Sequence, residues 1–552
     1  MHYFFLALAI CCSALAQAKV YQWVDESGRT HFSDKPPAAL LEKKPPPPVP
    51  SSIKSNTNTV LNSALAHKKE KASTKQPLIL QIRQLLEEQK YSKLNAILEA
   101  ARATALTDLS KEADLVTLYR AFNINSKQYA EKFNSWVNAY PASYQPFLAR
   151  AKYFQTMGWM ARGHKWGSEP SDEQRAEMNT YFSKAQEDIQ KALRRNPKSI
   201  VAYLIWIDIS NATADLAESE IILRDGLKVS PASYEIRRSY IRRLRPRWGG
   251  SIEKMVEFSA ESLQIVDKNP QLLSLPAWIL EDIASSLVRN KNYTLAISTL
   301  DEGFLNLKNA ASSEGYYEVE FDPYLINMQG YTHYRSENHE EALKYLNIAI
   351  SQNENIDDFY YHRSKVNSAL KNYLTSANDH LIALSINPYS EKYISHKNYL
   401  VARLTYQAYE ARKNLRYPKA LQLLNMALTL DPYKDSTLRS RAYLYIKKNQ
   451  IKQAKQDVDR AIELMPLEYD NYKAMDDVLL QQRRFKEITQ YWDKYIELQP
   501  KDSRAFFERS GTYYHLKRLD LAMKDAKIAA ALGHPNAEAL YQSYQPQWSS
   551  GK

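Results

Sequence analysis

Beyond residue 77 the chain is written in helical period. Leu78, Ile82, Leu85 and Leu86 recur three and four apart, as do Leu94, Ile97 and Leu98, with a break at Gln89 and Lys90. That spacing puts each apolar set on one face of a helix and predicts two helices joined by a turn. A longer period is superposed on this one further along. Pro432, Pro466 and Pro500 stand 34 residues apart, closing the phrases Leu430-Asp431-Pro432, Leu464-Met465-Pro466 and Leu498-Gln499-Pro500. Close-contact positions Gly330, Ser364, Ala408, Ala442, Asp476 and Ser510 are spaced 34, 44, 34, 34 and 34. Ala349, Ala383, Ala427, Ala461, Tyr495 and Ala529 form a second series with the same spacing. Short side chains at a fixed interval are what a stack of helical hairpins needs, because two helices approach closely only there. The fifth copy departs most, with Asp476, Ile488 and Tyr495 at normally small positions. The shared interruption near 391–400 is expected to lengthen a loop or a helix.

With Ala420 and Ala454 in the second helices, and Tyr445 and Tyr513 three residues after Ala442 and Ser510, residues 323–536 resemble the tetratricopeptide repeat family in six copies. The expected fold is all-α, a tetratricopeptide-like right-handed α-solenoid of helical hairpins, with residues 537–552 as a tail or cap. A degenerate form of the signal runs through 77–308. Ala185, Ala192 and Pro197 match second-helix positions, Pro231 follows 34 residues later with Gly226 before it, and Ala284, Ala296, Leu300 and Gly303 sketch one more hairpin. Residues 309–322 read as a looser joint.

Two segments interrupt that region: Gly158-Trp159-Met160-Ala161-Arg162-Gly163-His164-Lys165-Trp166-Gly167, and Arg245-Pro246-Arg247-Trp248-Gly249-Gly250-Ser251. With the helices between them, residues 140–260 resemble a bacterial helical domain of unknown function that carries a Pro-basic-Trp-Gly-Gly-Ser loop. That resemblance implies no known reaction.

The amino end has a different texture. Tyr21, Trp23 and Phe32 flank Glu26-Ser27-Gly28, two short β-forming runs around a turn, which predicts a β-hairpin over residues 19–38. Tyr21, Trp23, Asp25, Gly28, Phe32, Ser33, Asp34 and Pro36 resemble a small domain of unknown function common just after signal peptides in exported proteobacterial proteins. Residues 39–76, with Pro45 to Pro48 in a row, read as a Pro-rich linker that tethers this module as a semi-rigid spacer. Ahead of it, an apolar run from Tyr3 to Ala16 ends at Ala16-Gln17-Ala18. It is shorter than the roughly 20 residues that span a bilayer, so residues 1–18 read as a signal peptide cleaved after Ala18. No Lys or Arg precedes the run, and lipoprotein anchoring is not expected because Ile10 and Cys11 precede the two cysteines. A periplasmic protein of a Gram-negative bacterium is the expectation, with no transmembrane segment.

Composition narrows the chemistry. Only 13 of 552 residues are glycine, which leaves little for phosphate-cradling loops or an α/β active site. Cys11 and Cys12 are the only cysteines, so a chain cleaved after Ala18 has neither a disulfide nor a thiol nucleophile. His339-Glu340-Glu341 lacks the second histidine of a zinc motif, and His333 and His339 are not an i, i+4 pair. No catalytic residue, metal site or cofactor is expected; the chain reads as a non-enzyme. The net charge of +12 is spread thinly over the chain after Ala18. It suits an acidic partner or an anionic glycan as well as a merely solvated surface; export makes nucleic acid an unsuited partner.

In the family it resembles, the first helix of each hairpin lines a concave groove. The positions that this carries over include Tyr331, Tyr334, Lys365, Tyr409, Arg412, Arg439, Tyr443, Arg504 and Tyr514. Tyrosine with arginine and lysine suits an extended acidic peptide or a sugar chain, rings supplying area and cations pairing with carboxylates. The clamp that relatives use on a terminal carboxylate is missing, since Asn327 is followed by Tyr331. The expected function is therefore a non-catalytic exported scaffold that binds a partner protein or peptide. Alternatives are an accessory of envelope polysaccharide assembly, or an unrecognised enzyme centred on 158–167 and 245–251. A second candidate is the loop Arg247, Trp248, Gly249 and Gly250, which either binds an anion through Arg247 and the following helix start or forms a structural corner with Ser251 as cap.

Overall fold

In the computed structural model, residues 21–24, 30–33, 77–163, 170–212, 216–313, 315–316 and 321–550 are described. Two short strands, Tyr21–Val24 and Thr30–Ser33, pair antiparallel with Trp23 opposite His31. Residues 25–29, where the turn is expected, and the expected linker 39–76 and signal segment 1–18 lie outside the described residues. From 77 to 550 the described residues are all-α. They fall into two compact units, one comprising the residues up to 370 plus 382–389 and the other 371–381 plus 390–552.

The first unit begins with α1 (Leu78–Glu87) and α2 (Tyr91–Thr107), separated by the expected break. Then follow α3 (Glu112–Tyr119), α4 (Ala130–Ala139), α5 (Gln145–Arg162), α6 (Asp172–Arg195), α7 (Ile200–Ser210), α8 (Leu216–Val229), α9 (Tyr234–Arg243) and α10 (Ile252–Leu263). Ala185 and Ala192 are fully buried where α6 packs along α5, and Arg150 of α5 forks onto Asp188 of α6 at 2.7 and 2.9 Å. The segment 158–167 holds the end of α5, where Gly163 takes a φ of +85°. α5 runs through Gly158 to Arg162, and residues 164–169 lie outside the described ones. Short 3-10 turns at Leu109–Lys111, Arg120–Phe122 and Pro270–Ser274 also break the hairpin regularity. α11 (Ala277–Arg289) and α12 (Tyr293–Ser313) form the sketched hairpin, closely packed at Gly303, where a Cβ would stand 2.5 Å from Leu280 Cδ1. The looser joint is shorter than expected, because α12 continues to Ser313. α13 (Pro323–Arg335), α14 (His339–Gln352) and α15 (Asp357–Ala369) complete this unit's repeats.

Residues of α16 (Tyr373–Ile386) belong to both units. The second unit continues with α17 (Glu391–Lys413), α18 (Tyr417–Leu430), α19 (Asp435–Lys447), α20 (Ile451–Leu464), α21 (Tyr469–Leu480), α22 (Phe485–Leu498), α23 (Ser503–His515), α24 (Leu519–Ala531) and α25 (Ala537–Ser550). The ten extra residues near 391–400 are helical: α17 has 23 residues where α19 and α23 have 13. The tail is a helix too, its Tyr544 buried against Ala522 and Ala526 of α24.

The 34-residue period reappears in the backbone. Glu337, Lys371, Leu415, Asn449, Arg483 and Lys517 have φ between +54° and +65° and stand 34, 44, 34, 34 and 34 apart. Each closes a helix as a left-handed C′ residue, and after all of them but Lys371 the next N–H is seen to return to a carbonyl five residues back, as in Gln450 N–H to Tyr445 O at 2.8 Å. Gln89 and Lys291 close α1 and α11 in the same way.

Polar staples recur with the repeat. Arg441 of α19 forks onto Asp457 of α20 at 2.8 and 2.7 Å and donates to Asn425 of α18 at 2.9 Å. Arg509 does the same with Asp525 at 2.7 and 2.9 Å and with Asp493 at 2.6 Å. Each arginine ties its own hairpin to the preceding one. The irregular fifth copy packs through aromatic bulk: Trp492 and Tyr495 are buried with Met475 and Ile488. Asp476 accepts from the Trp492 indole at 3.3 Å, and the Tyr495 hydroxyl donates to Asp502 at 2.8 Å.

Candidate functional site

The expected groove residues are divided between the units. Tyr331, Tyr334 and Lys365 lie in the first. There the Tyr331 ring stacks on His362 at 4.6 Å, and its hydroxyl accepts from Arg335 at 2.9 Å. Tyr334 stands 6.3 Å from Tyr331, and Lys365 is half-buried. Tyr409, Arg412, Arg439, Tyr443, Arg504 and Tyr514 lie in the second unit, and the structure sorts them by what already occupies them.

Three are committed to intramolecular partners. Arg439 donates to Asp435 and to Asn471, both at 2.6 Å. Arg504 forks onto Asp502 at 3.0 and 2.7 Å and lies over the Tyr469 ring at 4.0 Å. Its guanidinium is the main reason that the Asp502 carboxyl sits below the usual range. Tyr514 is stacked on Tyr544 of α25 at 5.1 Å, so the final helix covers part of the expected groove. Lys473, on the same series of first helices, is held by Glu508 at 3.0 Å.

Arg412 is different. It lies 5.0 Å from the Tyr409 centroid and 4.4 Å from that of Tyr443, between a ring of its own helix and one of α19. Tyr409 sits one turn before it, at i and i+3, so the two share a face of α17. Among the described residues no carboxylate or other acceptor pairs with this guanidinium. Lys447 also lies over the Tyr443 ring, 5.3 Å from its centroid, without an ion-pair partner among the described residues. Stacking on rings orients a guanidinium while leaving its in-plane donors open to an anion.

Tyr409 and Arg412 border a groove of about 680 Å³ between α17 and α19. Asn398, Thr405, Tyr406, Tyr409 and Arg412 line it from α17, and Ser436, Thr437 and Ser440 from α19. Lys434 and Asp431 stand at the adjoining turn, so the ionic lining carries two cations and one carboxylate. Tyr406 and Tyr409 are exposed large aromatics. Sequence reasoning named Tyr409, Arg412 and Tyr443 but missed Asn398 and Tyr406. The signal was present: once the insertion is continued as helix, Asn398, Tyr406 and Tyr409 fall on the lining face.

The second candidate is a corner. Pro246–Trp248 form a 3-10 turn, Gly249 has φ +82°, and a Cβ on Gly250 would stand 1.9 Å from the Leu244 carbonyl oxygen, so that approach admits only glycine. Ser251 caps α10 by accepting from Lys254 N–H at 3.2 Å. Trp248 packs on Trp159 at 6.2 Å, and the buried Arg243 donates to the Trp248 carbonyl. Arg245 pairs with Glu281 and Asp282, and burial lowers the Arg247 pKa. Among the described residues no group of His, Asp and Glu is arranged to hold a metal ion. No helix among them is long and apolar enough to cross a membrane.

A family model described as Domain of unknown function (DUF4124) matches residues 6–58, and one described as Domain of unknown function (DUF4034) matches residues 78–218. The latter overlaps the expected 140–260 only over 140–218 and stops short of the Trp248 corner. No curated protein matches the chain. Similar solved structures include YrrB, described as a TPR protein with an unusual peptide-binding site, at 15% identity, covering 36% of this chain and 97% of that one, with TM-score 0.26. The TPR domain of P58(IPK) matches at 15% identity over 84% of this chain and 99% of that one, with TM-score 0.22. A tetratricopeptide repeat protein from Parabacteroides merdae matches at 15% identity over 49% and 98%, with TM-score 0.23. At those TM-scores, the repeat architecture rests on this chain's own helix and turn spacing.

Proposed function

We propose that the chain is a non-catalytic interaction scaffold whose second unit binds an extended, acidic segment of a partner protein in the groove between α17 and α19. The observation that carries this reading is Arg412, held between the Tyr409 and Tyr443 rings with no acceptor among the described residues while neighbouring groove arginines are neutralised. Aromatic rings with an open guanidinium supply contact area and a charge-assisted anchor together. Peptides selected from a displayed library on the full chain, and counter-selected on the Tyr409→Ser, Arg412→Ala, Tyr443→Ser variant, test it. An acidic consensus lost on the variant, whose helical circular dichroism is unchanged, supports the reading. Equal recovery by both proteins sinks it. The exposed Tyr406 and Tyr409 rings also favour a second reading, an anionic glycan stacked along the same groove. Binding of a uronic-acid polysaccharide with no peptide selected would favour that one.

On the sequence of residues 1–18 we propose export to a periplasm, with the paired strands near residues 21–33 as a small module on the Pro-rich linker. Fractionation of cells expressing the chain with and without residues 1–18 tests the export.

A further inference from the structure

The first unit contains a cavity of about 310 Å³ formed by the end of α2, α3, the start of α7 and the turn at 229–232. That is the small end of the range for ligand sites. Leu106, Leu115, Val201 and Pro231 supply its apolar wall. Its polar lining is unevenly satisfied. Tyr119 is 2% exposed, and its hydroxyl has no hydrogen-bond partner among the described residues. Ser199, 4% exposed, occupies the N-cap position of α7, yet its side chain accepts nothing from the helix. Among the described residues its hydroxyl has no partner at all. Lys198 and Lys268 stand exposed at the rim, without carboxylate partners among the described residues.

The acidic group is already committed. The Glu112 carboxyl accepts from Ser233 Oγ at 2.8 Å, Ser230 Oγ at 3.3 Å and Glu235 N–H at 3.5 Å. The Tyr144 hydroxyl and the Arg102 guanidinium, also on the lining, are spent on Glu99. What is left free is donors and positive charge, including the first-turn end of α7. A ligand that completes this site brings acceptors, negative charge and an apolar body.

We propose that this cavity is a binding site for a small organic anion, a carboxylate on a short apolar chain, engaged by the Tyr119 and Ser199 hydroxyls and the rim lysines. Burial pushes the Glu112 pKa up to about 7, so near neutrality much of it is protonated and repels an anion weakly. The charged groups that face Glu112 from α9 are Glu235 and Arg237.

The test is calorimetric titration of the full chain with octanoate, beside octylamine and octanol. Octanoate is expected to bind at one site and octylamine not at all. Tyr119→Phe removes a buried, unsatisfied hydroxyl, so the free protein should melt no lower than wild type while octanoate affinity falls about tenfold. Leu106→Trp, at a mouth position that is 53% exposed, should block the site without unfolding the chain. Lys198→Ala with Lys268→Ala should weaken octanoate binding and steepen none of the losses for octanol. Octanoate binding that none of these variants reduces, octylamine or octanol binding as tightly as octanoate, or no octanoate binding up to its solubility limit would overturn the proposal.

Discussion

Asp457→Ala is the sharpest probe of how the hairpins are held together. The carboxylate removed is 9% exposed and takes two charge-assisted bonds, at 2.8 and 2.7 Å, from an Arg441 that is 22% exposed. Bonds to a charged group contribute about 1.5–3 kcal/mol each, and they do not add when they act as one fork. Removing one partner of a fully buried pair costs about 3–5 kcal/mol, but Arg441 keeps its bond to Asn425 and some access to water. The net loss is therefore about 2–3 kcal/mol. Because each repeat touches only its neighbours, the loss should be local. Hydrogen exchange on the full chain should show weakened protection over residues 417–464, with residues 145–210 unaffected. A second variant, Arg441→Met with Asp457→Leu, should recover most of the protection, since an apolar pair of similar volume replaces the ions. A change below about 0.5 kcal/mol, the range of ordinary surface substitutions, would refute the staple, and so would equal loss along the whole chain.

Three further outcomes follow from particular residues. The Glu112 carboxyl is raised from the ordinary 4.5 to about 7 by burial, so the native state holds a proton that the unfolded chain releases. Its contribution is fully present below 4.5 and is lost as pH rises through about 7; the melting temperature of wild type relative to Glu112→Gln should fall over that interval. Leu415 is 72% exposed with φ +56°, and Leu415→Gly should stabilise by about 0.5–1 kcal/mol in chemical denaturation, where Leu415→Ala should not. Asp476→Ala leaves the buried Trp492 indole N–H without its acceptor and should cost about 1–2 kcal/mol, seen as lost protection in α21 and α22.

The repeat was legible because its cause is steric. Gly330, Ala349, Ser364, Ala427, Ala442 and Ala461 are small where helices meet, and the same 34-residue interval appears in the turn residues from Glu337 to Lys517. The inserted ten residues were visible as a gap in that interval, but whether they formed loop or helix depended on packing along α17. The staples were not anticipated. Arg441 and Asp457 look like ordinary surface charges in sequence, and only the fold brings residues 16 apart together with Asn425. The expected groove residues are divided by contacts that only the fold creates. Tyr409, Arg412 and Tyr443 converge, while Arg439, Arg504 and Tyr514 are claimed by Asp435, Asp502 and Tyr544. The first-unit cavity has no sequence signature, since Tyr119, Ser199 and Lys268 come from distant segments.

Arg412, oriented by two rings, is proposed as the groove's anion anchor. Its most direct test is the affinity of a selected acidic peptide for wild type, Arg412→Lys and Arg412→Ala, measured by fluorescence anisotropy at low and high salt. The account predicts a loss of at least about tenfold for Arg412→Ala and only partial rescue by lysine, which keeps the charge but not the planar fork. Affinity that is the same for all three proteins would contradict it.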